Sequence, residues 1–482
     1  MSKQDNSNSS DIDGAAEGED YFSERQLQKG AAGWILLAGL GVAYVISGDF
    51  AGWNFGLAEG GWGGLVIATL LMAIMYTTMM FSLAELSATI PSAGGGYGFA
   101  RRAFGPFGGF LTGTAILLEY AVAPAAIATF IGAYLDSLLG ITGWPVSLVF
   151  YLVFIGIHIY GVGEALKLMF GVTVLAVFAL VVFIVAMVPH FDVANLFDIP
   201  VEGGLGASKF LPFGLIGIWA AIPYGMWFFL AVEGLPLAAE ETADPAKNMP
   251  RGMITAILVL LLLATLVLIV GPGGGGSANL ATAGDPLIAA MRSETAYGGP
   301  TLTGKIINIV GLAGLIASFF SIIFGYSRQV FALSRAGYLP RVLSLTSKRK
   351  TPYLALIIPG SLGFLLSLTI DGNLLILIAV FGAAISYILM MASHIKLRIR
   401  EPNMDRPYRT PGGIITSGIA LFLAIISLIA GYFVEPNVII YAAIFYLLMM
   451  SYFLLYSRHH LVSQAPEEEF EAIRQAETLL DN

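Results

Sequence analysis

Tyr44-Val45-Ile46-Ser47-Gly48-Asp49-Phe50-Ala51-Gly52-Trp53-Asn54 interrupts the first strongly apolar segment of the chain with two glycines, a serine and one carboxylate. A charge near the middle of a membrane helix costs about 2.5–3.5 kcal/mol on insertion scales. Such a residue persists only by facing a partner, a cavity or a ligand, which makes Asp49 a candidate binding residue. The plainer alternative ends a helix at Gly48 and leaves Asp49 in an interfacial loop.

Outward from this stretch, the composition supports a membrane setting. Of 482 residues, 57% are hydrophobic and 12% charged, and the mean hydropathy is +0.80. A polytopic membrane protein exposes that much apolar surface to lipid, and a soluble domain has nowhere to hide it. The 57 glycines suit close helix packing in lipid. Cysteine is absent, so disulfides and cysteine metal sites are excluded. His459 and His460 stand together in a polar tail, where solvation explains them better than metal binding. Residues 1–29 are polar and acidic, without the pattern of a cleavable signal. No metal cluster, nucleophile elbow or basic nucleic-acid patch appears, so neither an enzyme nor a cofactor is expected. Gly271-Pro-Gly-Gly-Gly-Gly lacks the lysine of a phosphate loop and reads as a flexible outside loop. A channel would show a filter loop or charged ring, and the neutral outside loops show neither.

Twelve segments are long enough to span, near 31–57, 63–90, 107–135, 143–162, 166–188, 213–235, 252–272, 304–332, 353–370, 373–396, 413–434 and 436–457. With both termini cytoplasmic, 21 of the 24 basic residues lie inside and only Lys209, Arg292 and Lys305 outside. That asymmetry is what the positive-inside rule requires. The expected fold class is therefore an all-α polytopic membrane protein with 12 transmembrane helices in the cell (inner or plasma) membrane. Residues 1–20 read as disordered, and 464–482 as a soluble amphipathic helix.

A second interruption falls in the sixth span, Ile222-Pro223-Tyr224-Gly225-Met226-Trp227-Phe228-Phe229-Leu230-Ala231-Val232-Glu233-Gly234-Leu235-Pro236. Two prolines, two glycines and a carboxylate are what a discontinuous helix needs. Freed amides and carbonyls then bind an ion or substrate near the bilayer midplane. A merely kinked helix is the bland alternative.

Ala84-Glu85-Leu86, then Pro91, Ala93-Gly94-Gly95 and Tyr97, resembles a signature of amino acid–polyamine–organocation transporters. Glu233-Gly234-Leu235 with Glu240-Glu241, Pro245, Asn248, Pro250 and Arg251 is similar to a second. Gly325-Tyr326-Ser327-Arg328 with Phe331 to Pro340 is similar to a third. The resemblance runs over residues 31 to about 457 and implies a 5+5 inverted-repeat, leucine-transporter-like core with discontinuous helices 1 and 6. The implied domains are a cytoplasmic tail 1–30, a first repeat 31–190 (helices 1–5), an inverted second repeat 205–400 (helices 6–10), helices 11–12 over 410–457, and a cytoplasmic tail 458–482. In that family the helix 1 motif is usually Gly-Ser-Gly-Ile-Phe, whose amides hold a substrate carboxylate. Here Ile46 replaces the first glycine and Asp49 an apolar position. The wording Ile46 to Gly56 resembles the ethanolamine permease branch.

A carboxylate beside that pocket repels an ordinary amino acid and attracts a small amine. The expected function is secondary active import of a small cationic amine, ethanolamine first, by alternating access. The alternative is an amino acid or polyamine permease of the same superfamily, proton-coupled or exchanging. Substrate contacts are expected from Ser47, Gly48, Asp49, Trp227, Phe228, Leu230 and Ala231, with aromatic rings over the ammonium. Packing alone explains Phe228 and Phe229 equally well. Glu233 and Glu119 are candidates for gating or proton coupling, or for structural hydrogen bonds. Ser318 and Ser321 are possible cation ligands, or simple packing contacts. The coupling ion, H+ or Na+, stays open, as do exchange and uniport.

Overall fold

A computed structural model describes Leu27, Gly30, residues 32–299 and residues 302–462. The readings of 1–20 and 464–482 lie outside the described residues. Twelve helices of 12 residues or more organise the rest. They are α1 (Trp34–Val45), α2 (Phe55–Thr89), α3 (Gly96–Leu139), α4 (Trp144–Tyr160), α5 (Val162–Met187) and α6 (Gly214–Trp227). There follow α7 (Pro245–Gly275), α8 (Leu302–Arg335), α9 (Tyr353–Thr369), α10 (Gly372–Arg400), α11 (Ile414–Val434) and α12 (Pro436–Tyr452). Among the described residues, nine helical runs are long and apolar enough to cross a membrane, with Gly214–Glu241 counted as one run. Three shorter apolar helices are α1, α4 and α9.

Several helices outrun the apolar windows. α2 starts at Phe55 rather than 63, α3 at Gly96 rather than 107, and α7 at Pro245 rather than 252. The added turns carry Glu59, Arg101, Arg102, Lys247 and Arg251, which lower hydropathy; those of α2 and α3 are set off from the apolar part by kinks at Gly61 (φ 66°) and Gly105 (φ 76°), close to the expected starts. Residues 189–212 and 273–299 fold partly into short helices, among them Val193–Leu196 and Pro286–Arg292.

One expectation fails. Residues 271–275 are no flexible loop; they form the last turn of α7 and are buried. A Cβ on Gly273 would stand 2.3 Å from the Phe191 ring, and one on Gly275 would stand 2.5 Å from the Ala290 Cα. The glycine run lets two neighbouring segments close directly onto the helix backbone.

Apolar residues divide by neighbour. α5, α11 and α12 expose Val185, Phe422 and Leu447 on the outside, as lipid-facing helices do. α3, α8 and α10 are largely enclosed. The pairing of helices follows a pattern. α1 packs on α7 and α5, and α6 on α2 and α10. α3 packs on α10 and α9, and α8 on α5 and α4. Adding or subtracting five from each helix number turns one set of pairs into the other. α11 lies outside this scheme, against α2, α6 and α10.

Candidate functional site

The two interrupted helices meet. α1 ends at Val45, and Ser47–Phe50 makes one further turn before Ala51 extends (φ −160°, ψ 161°). α6 ends at Trp227; residues 228–231 are turns, Ala231 is left-handed (φ 76°), and Val232–Glu241 continues as a 3-10 helix. The Trp227 indole Nε1–H donates to the Ala51 carbonyl at 2.9 Å. A Cβ on Gly48 would sit 2.7 Å from the Trp227 carbonyl oxygen, so only glycine lets these backbones approach this closely. Tyr134 on α3 donates to the Phe50 carbonyl at 2.9 Å.

Ser318 on α8 patches the break in α1. Its Oγ accepts from the Ser47 amide at 2.8 Å and donates to the Ala43 carbonyl at 2.7 Å. The two backbone groups left by the interruption are thus joined through one hydroxyl. Ser321 donates to the Ala317 carbonyl of its own helix at 2.5 Å.

A cavity of about 10 Å³, room for about one water, lies between Tyr44, Ser47, Ala123, Trp227, Leu230 and Ala231. That is far below the about 300–1,000 Å³ of sites for drug-sized ligands, so a ligand enters only if the two broken helices part. Of the expected contacts it brings together Ser47, Trp227, Leu230 and Ala231. Phe228 is turned to packing, stacked on Trp53 with centroids 5.6 Å apart. Gly48 and Asp49 adjoin the cavity in the chain without lining it. Asp49 is 0% exposed, and neither carboxylate oxygen has a hydrogen-bond partner among the described residues.

Below Ala231 lies a polar network. Glu233 accepts from the Tyr120 hydroxyl at 3.1 Å and the Tyr387 hydroxyl at 2.7 Å. Tyr387 in turn reaches Tyr76 at 3.1 Å. The Glu119 carboxyl neighbours that of Glu233. Two carboxylates accept but cannot donate, and neither Glu119 oxygen finds a described donor. Contact between the two therefore needs a proton.

Other polar anchors carried no role in the sequence reading. Glu241 pairs with Arg328 at 2.8 Å, both fully buried, and Glu240 with Arg335 at 2.5 Å. These pairs clamp the end of the 3-10 helix to α8. Glu85 gathers Arg398, Arg406 (2.9 Å), His394 (3.3 Å) and the Thr410 amide (2.7 Å), tying α2 to α10 and the following loop. The signal for all three acids was their place in the quoted motifs; spacing alone did not assign partners. Among the described residues no group of three His, Cys, Asp or Glu side chains is placed to hold a metal.

Such a bundle, with two broken helices around a small enclosed cavity, defines a membrane permease. The amino acid permease family matches residues 34–466, and the chain belongs to it. Relatives include the branched-chain amino acid permease BcaP of Bacillus subtilis (strain 168), 26% identical over 454 residues, which cover 88% of this chain and 92% of that protein. The methylthioribose transporter of the same organism is 26% identical over 403 residues, 79% of this chain and 83% of its own length. An uncharacterized transporter of Rhizobium meliloti (strain 1021) is 28% identical over 396 residues, 80% and 83% of the two chains.

Proposed function

We propose that the protein imports a small cationic amine, ethanolamine first, across the cell membrane by alternating access. The observation that carries this reading is Asp49, a fully buried carboxylate beside the break in α1 with no described partner. A buried charge without a partner is strongly unfavourable, and an ammonium group supplies the missing one. The amides of the same turn argue in the same direction. Ser47 N–H is taken by Ser318 and Asp49 N–H by the Ile46 carbonyl at 3.1 Å. With these two amides taken, the turn has less to offer a substrate carboxylate, and the Trp227 ring beside the cavity suits a cation.

The exchange of helix pairs under a shift of five supports an inverted five-plus-five core, with α11 and α12 added. The distribution of basic residues supports twelve crossings with both termini cytoplasmic. For coupling, the Glu119–Glu233 carboxyl pair favours a proton, since two neighbouring buried carboxyls are best held with one proton between them. An amino acid permease is the second reading, and similarity to the branched-chain permease favours it.

Uptake of labelled ethanolamine into proteoliposomes separates the two, with ethanolamine, choline, alanine and putrescine as competitors for the wild type and Asp49→Asn. Saturable uptake blocked by ethanolamine but not alanine, and lost in Asp49→Asn, supports the amine. Competition by alanine, or an unaffected variant, returns the chain to amino acid transport.

A further inference from the structure

An open groove of about 610 Å³ lies away from the central site, between the start of α1, the first turns of α7 and the loop after α10. Trp34, Lys247, Pro250, Arg251, Ile254 and Tyr408 are among its walls. Arg251 is exposed and makes no hydrogen bond or ion pair with any described residue. Lys247 pairs with Asp244 at 3.1 Å, with both side chains largely exposed. From Arg251 one face of α7 runs down through Leu258 (57% exposed), Leu262 (61%) and Ile269 (37%), at spacings that stack on a helix. Trp34 and Ile35 are exposed at the start of α1. A basic rim therefore opens directly onto an apolar stripe.

We propose that this groove binds the headgroup of an anionic phospholipid, with its phosphate against Arg251 and Lys247 and an acyl chain along the Leu258–Ile269 face. A soluble phosphate would meet the cations but leave the apolar stripe uncovered; a lipid covers both. Trp34 and Tyr408 stand where amphipathic rings sit at headgroup level. The groove shares its end of the molecule with Arg398, Arg400 and Arg409, the end that an anionic leaflet attracts. A lipid seated there would join α1 and α7 to the loop whose Arg406 and Thr410 hold Glu85. The inference rests on the membrane orientation proposed above and is independent of the cargo.

The test is native mass spectrometry of the full chain in mild detergent with equal phosphatidylglycerol and phosphatidylcholine. With Lys247 offset by Asp244, the net single charge of the rim gives an expected preference of about fivefold for phosphatidylglycerol. The paired substitution Lys247→Ala, Arg251→Ala removes that preference, whereas Lys247→Arg, Arg251→Lys keeps it. Phosphatidylglycerol also raises the melting temperature of the wild type and not of the alanine pair, which melts like the wild type in phosphatidylcholine. If the alanine pair fails to fold, Arg251→Gln alone, at an exposed position, serves the same comparison. Undiminished preference in the variants overturns the proposal. Displacement of the lipid by inorganic phosphate overturns it too, in favour of a soluble anion. Selective retention only after removal of residues 1–20 overturns it in favour of that acidic segment.

Discussion

Replacing Asp49 by the apolar residue usual at this family position should make the protein more stable and less functional at once. Asp49 is 0% exposed and both its oxygens lack described partners. A buried polar group left unsatisfied costs about 1–3 kcal/mol, and a charged one more. Two such oxygens give roughly 2–6 kcal/mol for the ligand-free protein. Asp49→Ile removes both, and Asp49→Asn removes the charge but keeps two polar groups to satisfy. Melting in detergent without ligand should therefore rank Asp49→Ile above Asp49→Asn above the wild type. With ethanolamine at a hundredfold excess over its Kd, the wild type alone gains about 2.7 kcal/mol. Uptake is lost in Asp49→Ile. A wild type that melts above Asp49→Ile without ligand refutes the reasoning, because Asp49 would then be satisfied within the protein. Equal stabilisation of wild type and Asp49→Ile by ethanolamine refutes the counter-ion role.

Gly48→Ala places a Cβ 2.7 Å from the Trp227 carbonyl and 3.2 Å from the Phe228 Cα, both backbone atoms that cannot swing aside. A destabilisation of about 1–3 kcal/mol and impaired uptake are expected, against no loss of stability for Gly156→Ala, where nothing lies within 4 Å. For the buried Glu241–Arg328 pair, Arg328→Met alone should cost about 3–5 kcal/mol, and the added Glu241→Leu should recover much of it. A double-mutant cycle by denaturation reads this directly, and additive effects would contradict it. In the segment between α7 and α8, burial holds the Asp285 carboxyl above its ordinary range, with the Arg292 charge a partial offset. Its neutral form is thus favoured by folding, and the wild type should lose stability relative to Asp285→Asn as pH rises from about 4 upward. A gap that does not change with pH would remove the effect.

The interruptions were legible because glycine, proline and an acid inside an apolar run leave few other conformations. α1 and α6 stop within residues that local chemistry singled out, at Val45 and Trp227. Local chemistry could not see what fills the gap. A serine hydroxyl on a helix bonds either its own backbone or a neighbour's, and tertiary packing decides which. Ser321 does the first and Ser318 the second. Glu119 and Glu233 lie more than a hundred residues apart, so no periodicity announces that they meet. Gly271 to Gly275 misled for the opposite reason. Glycine signals both a flexible loop and a crowded helix end, and only the partners Phe191 and Ala290 distinguish them.

The hydroxyl of Ser318 has a mechanical consequence. It is one small rivet through two helices, holding the Ala43 carbonyl and the Ser47 amide together. Should the outer piece of α1 swing from α8, both groups lose their partner in the same stroke, within an interior that offers no bulk water to replace it. Movement at this point is therefore a swap of partners rather than a gradual stretch. Such a swing would need an incoming water or cargo atom to take over the amide and the carbonyl as the hydroxyl lets go.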